Sequence, residues 1–403
     1  MPYRVSEINL MNLDIFERGE DHAMFAHLRD HDPLHWNDEP DGPGFWSVTR
    51  YEDVRTVALD FKTFSSASGT QIADGRAEGA GDASIHNLDP PEHTRLRRLA
   101  NPQFHPARTR SLEADVVQVT DRLLDEVIDA GEVDFVARIS AMLPMVIIGR
   151  LLGASIEDCE QLITWTNQIA SSDPEYAAGP ETAAVARDQL FAHFRQLEAQ
   201  RRTRPAHDLV SVLARAEVGG EPLRRGQLDA YYLLLAVAGN ETTRNLLTGM
   251  VWEMSRESSE WNRIRSDPEA IGGVVEEALR YVSPVLSMRR TATKDVELHG
   301  LMIRRGDKVV MWFNSANRDD RVFTDPERFI GNRAPNDHIA FGAGRHVCLG
   351  ASLARAEARI FLQRILDRNL TIEVLGQPDR LRSNFFRGIK RLPVRITERA
   401  RER

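Results

Sequence analysis

The stretch FGAGRHVCLG, residues 341–350, constrains the fold of this chain more than any other segment. Its one cysteine, Cys348, is surrounded by three glycines and a histidine: Gly342, Gly344, Gly350 and His346. Glycine loses more conformational freedom on folding than other residues. Three glycines around one thiol therefore indicate a backbone that turns sharply or lies against a bulky group.

The residues after this stretch, 351–366, carry apolar side chains at helical spacing. Cys348 is therefore expected just before the start of a helix, where free N–H groups and the helix dipole favour a thiolate. Such a thiolate can hold a metal through one sulfur. A lone cysteine is more often a small buried apolar residue, so the stretch alone leaves both interpretations open.

Composition limits what this cysteine can do. The chain has 403 residues, 42% of them hydrophobic, and is long enough to bury a large cofactor. Its only other cysteine is Cys159, which excludes a disulfide framework and a C-x-x-C zinc motif. If Cys348 binds a metal, a group other than protein must supply most of the ligands.

The same numbers bear on partners and location. A formal net charge of −8 argues against nonspecific nucleic-acid binding as the main activity. The N-terminus lacks the pattern of a signal peptide, and no apolar run reaches the roughly 18 residues of a membrane span. We therefore expect a cytoplasmic protein that acts on a small molecule, without membrane or nucleic-acid partners.

The periodicity along the chain predicts one mainly α domain with small β-sheets, an α+β fold spanning residues 1–403. Helical patterns cover roughly 90–280. Short strands are expected at roughly 30–65, 285–315 and 370–400. The glycine-rich segment 65–88 and the polar break at 171–180 are expected to be loops.

The segment 228–255 is the strongest helix candidate, apolar on nearly every side but with the polar sequence GNETT at its centre. A buried carboxylate there would be unfavourable. Glu241 could pair with Arg244 at i, i+3 on a solvated stripe. Alternatively, Thr242 bonds back to the carbonyl of Ala238 and loosens the helix beside Gly239, which would create a site for proton transfer.

Two further pairs of residues have helical spacing. Glu277 and Arg280, at i, i+3, have the spacing of a structural salt bridge. His93 and Arg97, at i, i+4, usually lie on a solvated face but can clamp a carboxylate if both point inward.

Taken together and in this order, these motifs resemble those of bacterial cytochromes P450, a family of haem-thiolate monooxygenases. The resemblance extends from about residue 44 to 396 and rests on FGAGRHVCLG, AGNETT, EALR and HTRLR. It implies that Cys348 is the axial ligand to the iron of haem b, which lies between the long central helix and the cysteine-loop helix. It also implies that Arg333 is a third partner of Glu277 and Arg280.

The resemblance assigns the other site residues. Glu241 and Thr242 take the acid and alcohol positions of the proton relay, although Asp is commoner than Glu at the first. The implied cofactor contacts are His93, Arg97, Ala238, Gly239, Arg290, Phe341, Gly342, His346, Cys348 and Gly350. The implied substrate contacts are Leu234, Val237, Ala238, Leu286, Met288 and Phe385.

The implied reaction is hydroxylation or epoxidation of a small hydrophobic substrate, such as a terpenoid, a steroid or a branched aliphatic, with O2. No flavin or nicotinamide fingerprint follows a strand, so electrons are expected from an iron–sulfur ferredoxin with its reductase, delivered to a monomer. Arginines near the thiolate side either contact this partner or are solvated: Arg95, Arg98, Arg345, Arg355 and Arg359. The alternatives are a haem-thiolate protein that only binds ligands and a peroxide-driven peroxygenase.

Overall fold

The computed structural model describes residues 4–73, 84–171, 173–177 and 179–399. The middle of the predicted loop 65–88 lies outside the described residues, as do two positions of the predicted break at 171–180. The rest is mainly helical with small sheets, which confirms the predicted fold class.

Helices account for most of the described residues. They are α1 (Leu13–Arg18), α2 (Asp21–His31), α3 (Tyr51–Leu59), α4 (Glu92–Phe104), α5 (Pro106–Asp125), α6 (Met142–Leu152), α7 (Cys159–Ala170), α8 (Pro180–Thr203), α9 (Leu209–Leu213), α10 (Arg225–Arg256), α11 (Ser258–Ser266), α12 (Ile271–Val282), α13 (Phe313–Ala316) and α14 (Ala351–Asp367). The predicted central helix is α10, and α14 follows Cys348 as expected.

The strands fall in the three predicted regions, with short additions at 132–134 and 217–222. They are β1 (Leu34–Asn37), β2 (Phe45–Val48), β3 (Phe64–Ser65), β4 (Glu132–Asp134), β5 (Glu217–Val218), β6 (Glu221–Pro222), β7 (Ser287–Ala292), β8 (Val296–Leu298), β9 (Leu301–Ile303), β10 (Lys308–Trp312), β11 (Leu370–Val374), β12 (Asp379–Arg380), β13 (Ile389–Arg391) and β14 (Pro393–Glu398).

The main sheet has the order β1-β2-β10-β7-β3, and a second has the order β11-β14-β4. Within the main sheet, β10 runs parallel to β2 and antiparallel to β7. Met288 lies opposite Met311, and Arg290 lies opposite Val309. Because side chains alternate along a strand, Met288 and Arg290 point to the same face of β7.

The central helix α10 is apolar around most of its circumference because other helices surround it. It packs against α6, α7, α8, α12 and α14, as expected for a helix without one polar face. At Gly239 the contact with α6 is so close that a Cβ atom would lie 2.5 Å from Cγ1 of Ile148. Gly239 therefore serves a helix–helix contact, and because the residue is only half-buried, its contact with a cofactor remains a prediction.

A buried ion cluster joins α12 to the segment 317–336. The Glu277 carboxylate accepts hydrogen bonds from Arg280 at 2.8 Å and from Arg333 at 3.0 and 3.1 Å. It also accepts the N–H of Ile330 at 2.8 Å. Glu277 and Arg280 are 0% exposed, so the predicted salt bridge is buried, with Arg333 as its third member.

Hydropathy gives no indication of a membrane span. Within the described residues, none of the helices combines the length and the apolar character needed to cross a bilayer.

Candidate active site

The cysteine loop turns tightly at two of its three glycines. Gly342 and Gly344 have φ of 72° and 70°, values that other residues rarely adopt. The backbone N–H of Cys348 donates to the carbonyl of Phe341 at 2.9 Å, which closes the loop. Gly350 has an ordinary φ of −88° at the N-terminus of α14, so its conformation does not require glycine.

The Cys348 thiol faces the interior of the protein. Its side chain is exposed, yet burial raises its pKa, while the Gly350 N–H and the positive charges of Arg97 and Arg355 oppose that rise. A side chain that is accessible and yet surrounded closely enough to be desolvated lies at the wall of an interior space. The sulfur is therefore not on the outer surface. Because burial disfavours the thiolate, a bound cation such as a metal would stabilise it.

One face of α10 is accessible in the middle of this otherwise buried helix. Leu234 and Thr242 are half-buried, and Ala238, one turn from each, is exposed. The Thr242 hydroxyl donates to the Ala238 carbonyl at 2.9 Å, as predicted. Since α10 packs against α14, this face and the cysteine loop belong to neighbouring helices.

Glu241 is on a different side of α10 and is sealed from solvent. Its carboxylate accepts hydrogen bonds from the Arg244 guanidinium and from Asn245, the latter at 3.2 Å. Arg244 also donates to Asn167 of α7 at 2.8 Å. Glu241 is 4% exposed and Arg244 is 3% exposed. The predicted pair therefore exists, but it is buried and not on a solvated stripe, and Glu241 has no direct contact with bulk solvent.

Three groups that can carry positive charge lie together at the cysteine loop, of which His93 and Arg290 are buried and His346 is half-buried. The rings of His93 and His346 lie 4.2 Å apart. Burial lowers the pKa of His93 to about 4, of His346 to about 3 and of Arg290 to about 10, and the positive charge of Arg290 further lowers both histidine pKa values. The acidic group that acts on His93 and Arg290 is Asp89.

This cluster is short of negative charge. The two oxygens of Asp89 are already engaged by the hydroxyl of Ser65 and by the backbone N–H of Ser66, the latter at 2.9 Å. The Nδ1 atom of His93 is buried without a partner in the described part of the chain. A buried arginine and two histidines that are uncharged without a counter-ion, beside a carboxylate that is already engaged, fit an anionic ligand such as the propionates of haem.

Arg97 connects α4 to the cysteine loop. Its guanidinium donates to the Val347 carbonyl at 2.7 Å. Burial lowers the pKa of Arg97, and the proximity of Cys348 raises it. The predicted pair His93 and Arg97 thus points inward, toward the same loop.

The predicted substrate contacts divide into two groups. Val237, Met288 and Phe385 are half-buried, like Leu234, and can line an interior space. Leu286 is 1% exposed and belongs to a core cluster with Trp312, so its predicted contact with substrate is wrong. Because β7 begins at Ser287, strand alternation does not extend back to Leu286. Its neighbour Val285 is half-buried and packs against another core cluster.

Ion pairs attach the polar segment after α7 to a β-strand. The Lys390 ammonium lies 3.2 Å from Asp173 and 3.1 Å from Glu175, and Arg391 also pairs with Glu175. The described part of this predicted loop, 173–177, is therefore attached to β13 by ion pairs.

An iron porphyrin fits the arrangement around Cys348. Cys348 would supply a sulfur ligand to the iron, the accessible face of α10 would supply apolar surface, and His93, His346 and Arg290 would supply hydrogen-bond donors for the propionates. Fold and site together define a haem-thiolate protein.

Comparison with known proteins agrees with this. The family model described as Cytochrome P450 matches residues 181–395. Linalool 8-monooxygenase of Pseudomonas putida is 36% identical, covering 96% of this chain and 98% of the relative. Steroid C26-monooxygenase of Mycolicibacterium smegmatis is 34% identical, covering 97% and 92%. A Mycobacterium marinum cytochrome P450 solved with pseudoionone superposes with a TM-score of 0.90 at 33% identity, covering 98% and 99%.

The chain therefore belongs to the cytochrome P450 family. It is a monooxygenase whose cofactor is haem b.

Proposed function

We propose that this monooxygenase hydroxylates or epoxidises a terpenoid, steroid or branched aliphatic substrate, with O2 and with electrons from a ferredoxin. The observation that carries the proposal is the accessible face of α10, where the Thr242 hydroxyl and the Ala238 carbonyl are the polar groups among apolar neighbours. A peroxygenase or a ligand-binding protein does not need an alcohol beside a buried acid at this place.

The residues that would hold the haem come from two parts of the site. Cys348 would supply the sulfur ligand to the iron, and His93, Arg97, Arg290 and His346 would donate to the propionates. Bound in this way, thiolate-ligated haem supplies the activation of O2. The protein's own contribution is to bind the substrate, exclude water and deliver protons.

Proton delivery is assigned to Thr242 and Glu241. Because Arg244 and Asn245 cover Glu241, its protons must pass along buried polar groups. Asn240 has both side-chain polar atoms buried without a protein partner in the described chain, and the same holds for Nε of Arg244 and Oδ1 of Asn245. Buried polar atoms of this kind are normally satisfied by ordered water, so a water path beside the Glu241–Arg244 pair is part of the proposal.

Thr242→Ala is expected to leave substrate binding unchanged and to uncouple electron use from product formation. Without the hydroxyl, the described side chains that share this face of α10, Leu234 and Ala238, offer no group that can hold a proton donor. The measurement is the fraction of consumed NADH recovered as product and as hydrogen peroxide, in a system reconstituted with a ferredoxin and its reductase. The product fraction should fall and the peroxide fraction should rise.

The neighbouring Thr243, which is 4% exposed, supplies the control, and Thr243→Ala should keep the wild-type ratio. Glu241→Gln should slow turnover by about 10- to 1,000-fold, the scale of a lost proton-transfer group. If Thr242→Ala and Glu241→Gln both couple electrons as well as the wild type does, Glu241 is a structural partner of Arg244 and the relay lies elsewhere.

The substrate class is proposed from the apolar side chains at the site and from the relatives. Leu234, Val237, Met288 and Phe385 offer hydrocarbon surface, which binds by burial of apolar area. Two relatives are named for linalool and for steroid C26 oxidation, and another for methyl-branched lipid omega-hydroxylation.

Affinity is expected to increase with the apolar area of the ligand. Each additional buried methylene contributes about 0.8 kcal/mol, or about 4-fold in affinity. The measurement is a spectral titration of the ferric protein with homologous series of terpenoids, steroids and branched alcohols. Affinity that is independent of hydrocarbon size would contradict an apolar pocket.

The ferredoxin is proposed to dock on the thiolate side. Some of the arginines on that side are already paired with carboxylates of this chain, which leaves fewer of them to contact a partner. Arg355 pairs with Glu276 at 2.6 Å, and Arg359 pairs with Glu113 at 2.7 Å. Both are therefore engaged between helices. Arg345 lies over the ring of Phe61. Like Arg98, it has no ion pair with the described residues and remains available for a negatively charged partner.

A further inference from the structure

A histidine that the motifs did not identify lies next to the cation cluster. His86 occupies a short 3₁₀ turn, Ile85–Asn87, which packs against α4. Its Nδ1 atom is buried without a partner in the described chain, although the residue as a whole is half-buried. Like Cys348, it is accessible but desolvated, and burial followed by the positive charge of Arg290 lowers its pKa to about 4.

The turn that carries His86 is attached to the strand that carries Arg290. The Thr70 hydroxyl donates to the Asn87 side chain at 2.9 Å. The Thr70 carbonyl in turn accepts the backbone N–H of Arg289 at 2.7 Å. Two hydrogen bonds therefore fix residues 85–87 relative to β7, the strand that carries Arg290, and the positive charge of Arg290 lowers the pKa of His86.

The side chains around His86 can donate hydrogen bonds to an acceptor from a ligand. His86 and His93 each present a buried ring nitrogen that has no partner among the residues the structure describes. His346 contacts the Ser66 hydroxyl through Nε2 at 3.3 Å. Asp89 is the nearby carboxylate, and Ser65 and Ser66 engage both of its oxygens. A carboxylate from a ligand would accept from the free imidazoles and would offset the charge of Arg290.

We propose that His86 is an additional haem-propionate contact of this chain, beside His93, Arg97, Arg290 and His346. The inference rests on the haem site of the proposed function. It means that haem is anchored by the 85–87 turn as well as by α4, so that the end of the segment 65–88 is ordered partly by the cofactor. His86 is a positioning residue and takes no part in the reaction.

The test measures haem loss and not turnover. Wild type, His86→Leu and His86→Gln are loaded with haem b or with haem dimethyl ester, whose propionates cannot carry negative charge. Transfer of haem to excess apomyoglobin is followed by absorbance. A hydrogen bond to a charged group contributes enough that His86→Leu should lose haem b about 10- to 100-fold faster. His86→Gln, which keeps a donor, should restore part of the retention.

The ester separates a propionate contact from a structural role. With haem dimethyl ester, the wild type and His86→Leu should lose the cofactor at the same rate. His207→Leu, a substitution at an exposed histidine, should match the wild type with both haems. If His86→Leu accelerates the loss of both haems equally, or changes substrate affinity and not haem loss, the proposal is overturned. A wild type that takes up no haem would overturn the haem site itself.

Discussion

Cys348→His is expected to abolish the long-wavelength Soret absorption of the reduced CO complex. That absorption requires a thiolate on the iron, and Cys348 is the cysteine that the loop presents toward the interior. Its sulfur receives the Gly350 N–H and lies near the charges of Arg97 and Arg355, which favour the thiolate. A histidine at this position would give the spectrum of an imidazole-ligated haem. The measurement is the difference spectrum of the dithionite-reduced protein with and without CO.

The chain provides a matched control for this experiment. Cys159, at the start of α7, is buried, and burial raises its pKa to about 11. Its sulfur would lie 3.4 Å from a Cβ atom added at Gly149, so it is enclosed by protein and cannot reach a cofactor. Cys159→Ser should keep the wild-type spectrum. If the wild type itself shows the spectrum of an imidazole ligand, Cys348 is not the axial ligand.

The cysteine loop and the relay helix could be predicted because their signals are local. Two glycines of the loop have positive φ, and such a requirement is visible in the sequence as a glycine. The hydrogen bond from Thr242 to Ala238 spans one helical turn, so the spacing alone predicts it. The position of α14 follows from apolar spacing after Cys348 in the same way.

What the sequence does not show comes from contacts between distant segments. Ile148 of α6 packs against Gly239, while the contact of Gly239 with a cofactor remains a prediction. The sequence does not show which residue will pack against a glycine in the folded protein. The family resemblance implies that Leu286 contacts substrate, yet β7 begins after it, and its side chain packs in the core with Trp312. Strand boundaries are decided by pairing with β10, which the sequence does not display.

The burial of Glu241 illustrates the same limit. The spacing to Arg244 predicts the pair but not its environment, because α7 supplies Asn167 from elsewhere in the chain and excludes solvent. His86 was overlooked for a related reason. Its connection to the cation cluster runs through Thr70 and β7, which are far from it in sequence.

Glu277→Ala is expected to be the most destabilising substitution considered for this chain. It removes the carboxylate to which both Arg280 and Arg333 donate hydrogen bonds, and it leaves the Ile330 N–H without its acceptor. Breaking a buried ion pair on one side costs roughly 3–5 kcal/mol. A folded protein has only about 5–15 kcal/mol of stability in total. We therefore expect little folded, haem-containing protein, measured as the ratio of haem to protein absorbance and as the urea concentration of half-unfolding.

A substitution at the adjacent Glu276 is the control, because it removes a carboxylate that is not fully buried. Glu276 also sits on α12 and pairs with Arg355 and His338, but its side chain is 34% exposed. Pairs open to solvent contribute about 1 kcal/mol or less, so Glu276→Ala should unfold at slightly lower urea and keep its haem. Glu277→Gln keeps the shape of the side chain and loses its charge. Its haem content and urea midpoint should lie between those of Glu277→Ala and Glu276→Ala. Equal haem content and equal midpoints for Glu277→Ala and Glu276→Ala would show that the cluster around Glu277 tolerates the loss of its carboxylate, because water or movement of Arg333 compensates the two guanidinium groups.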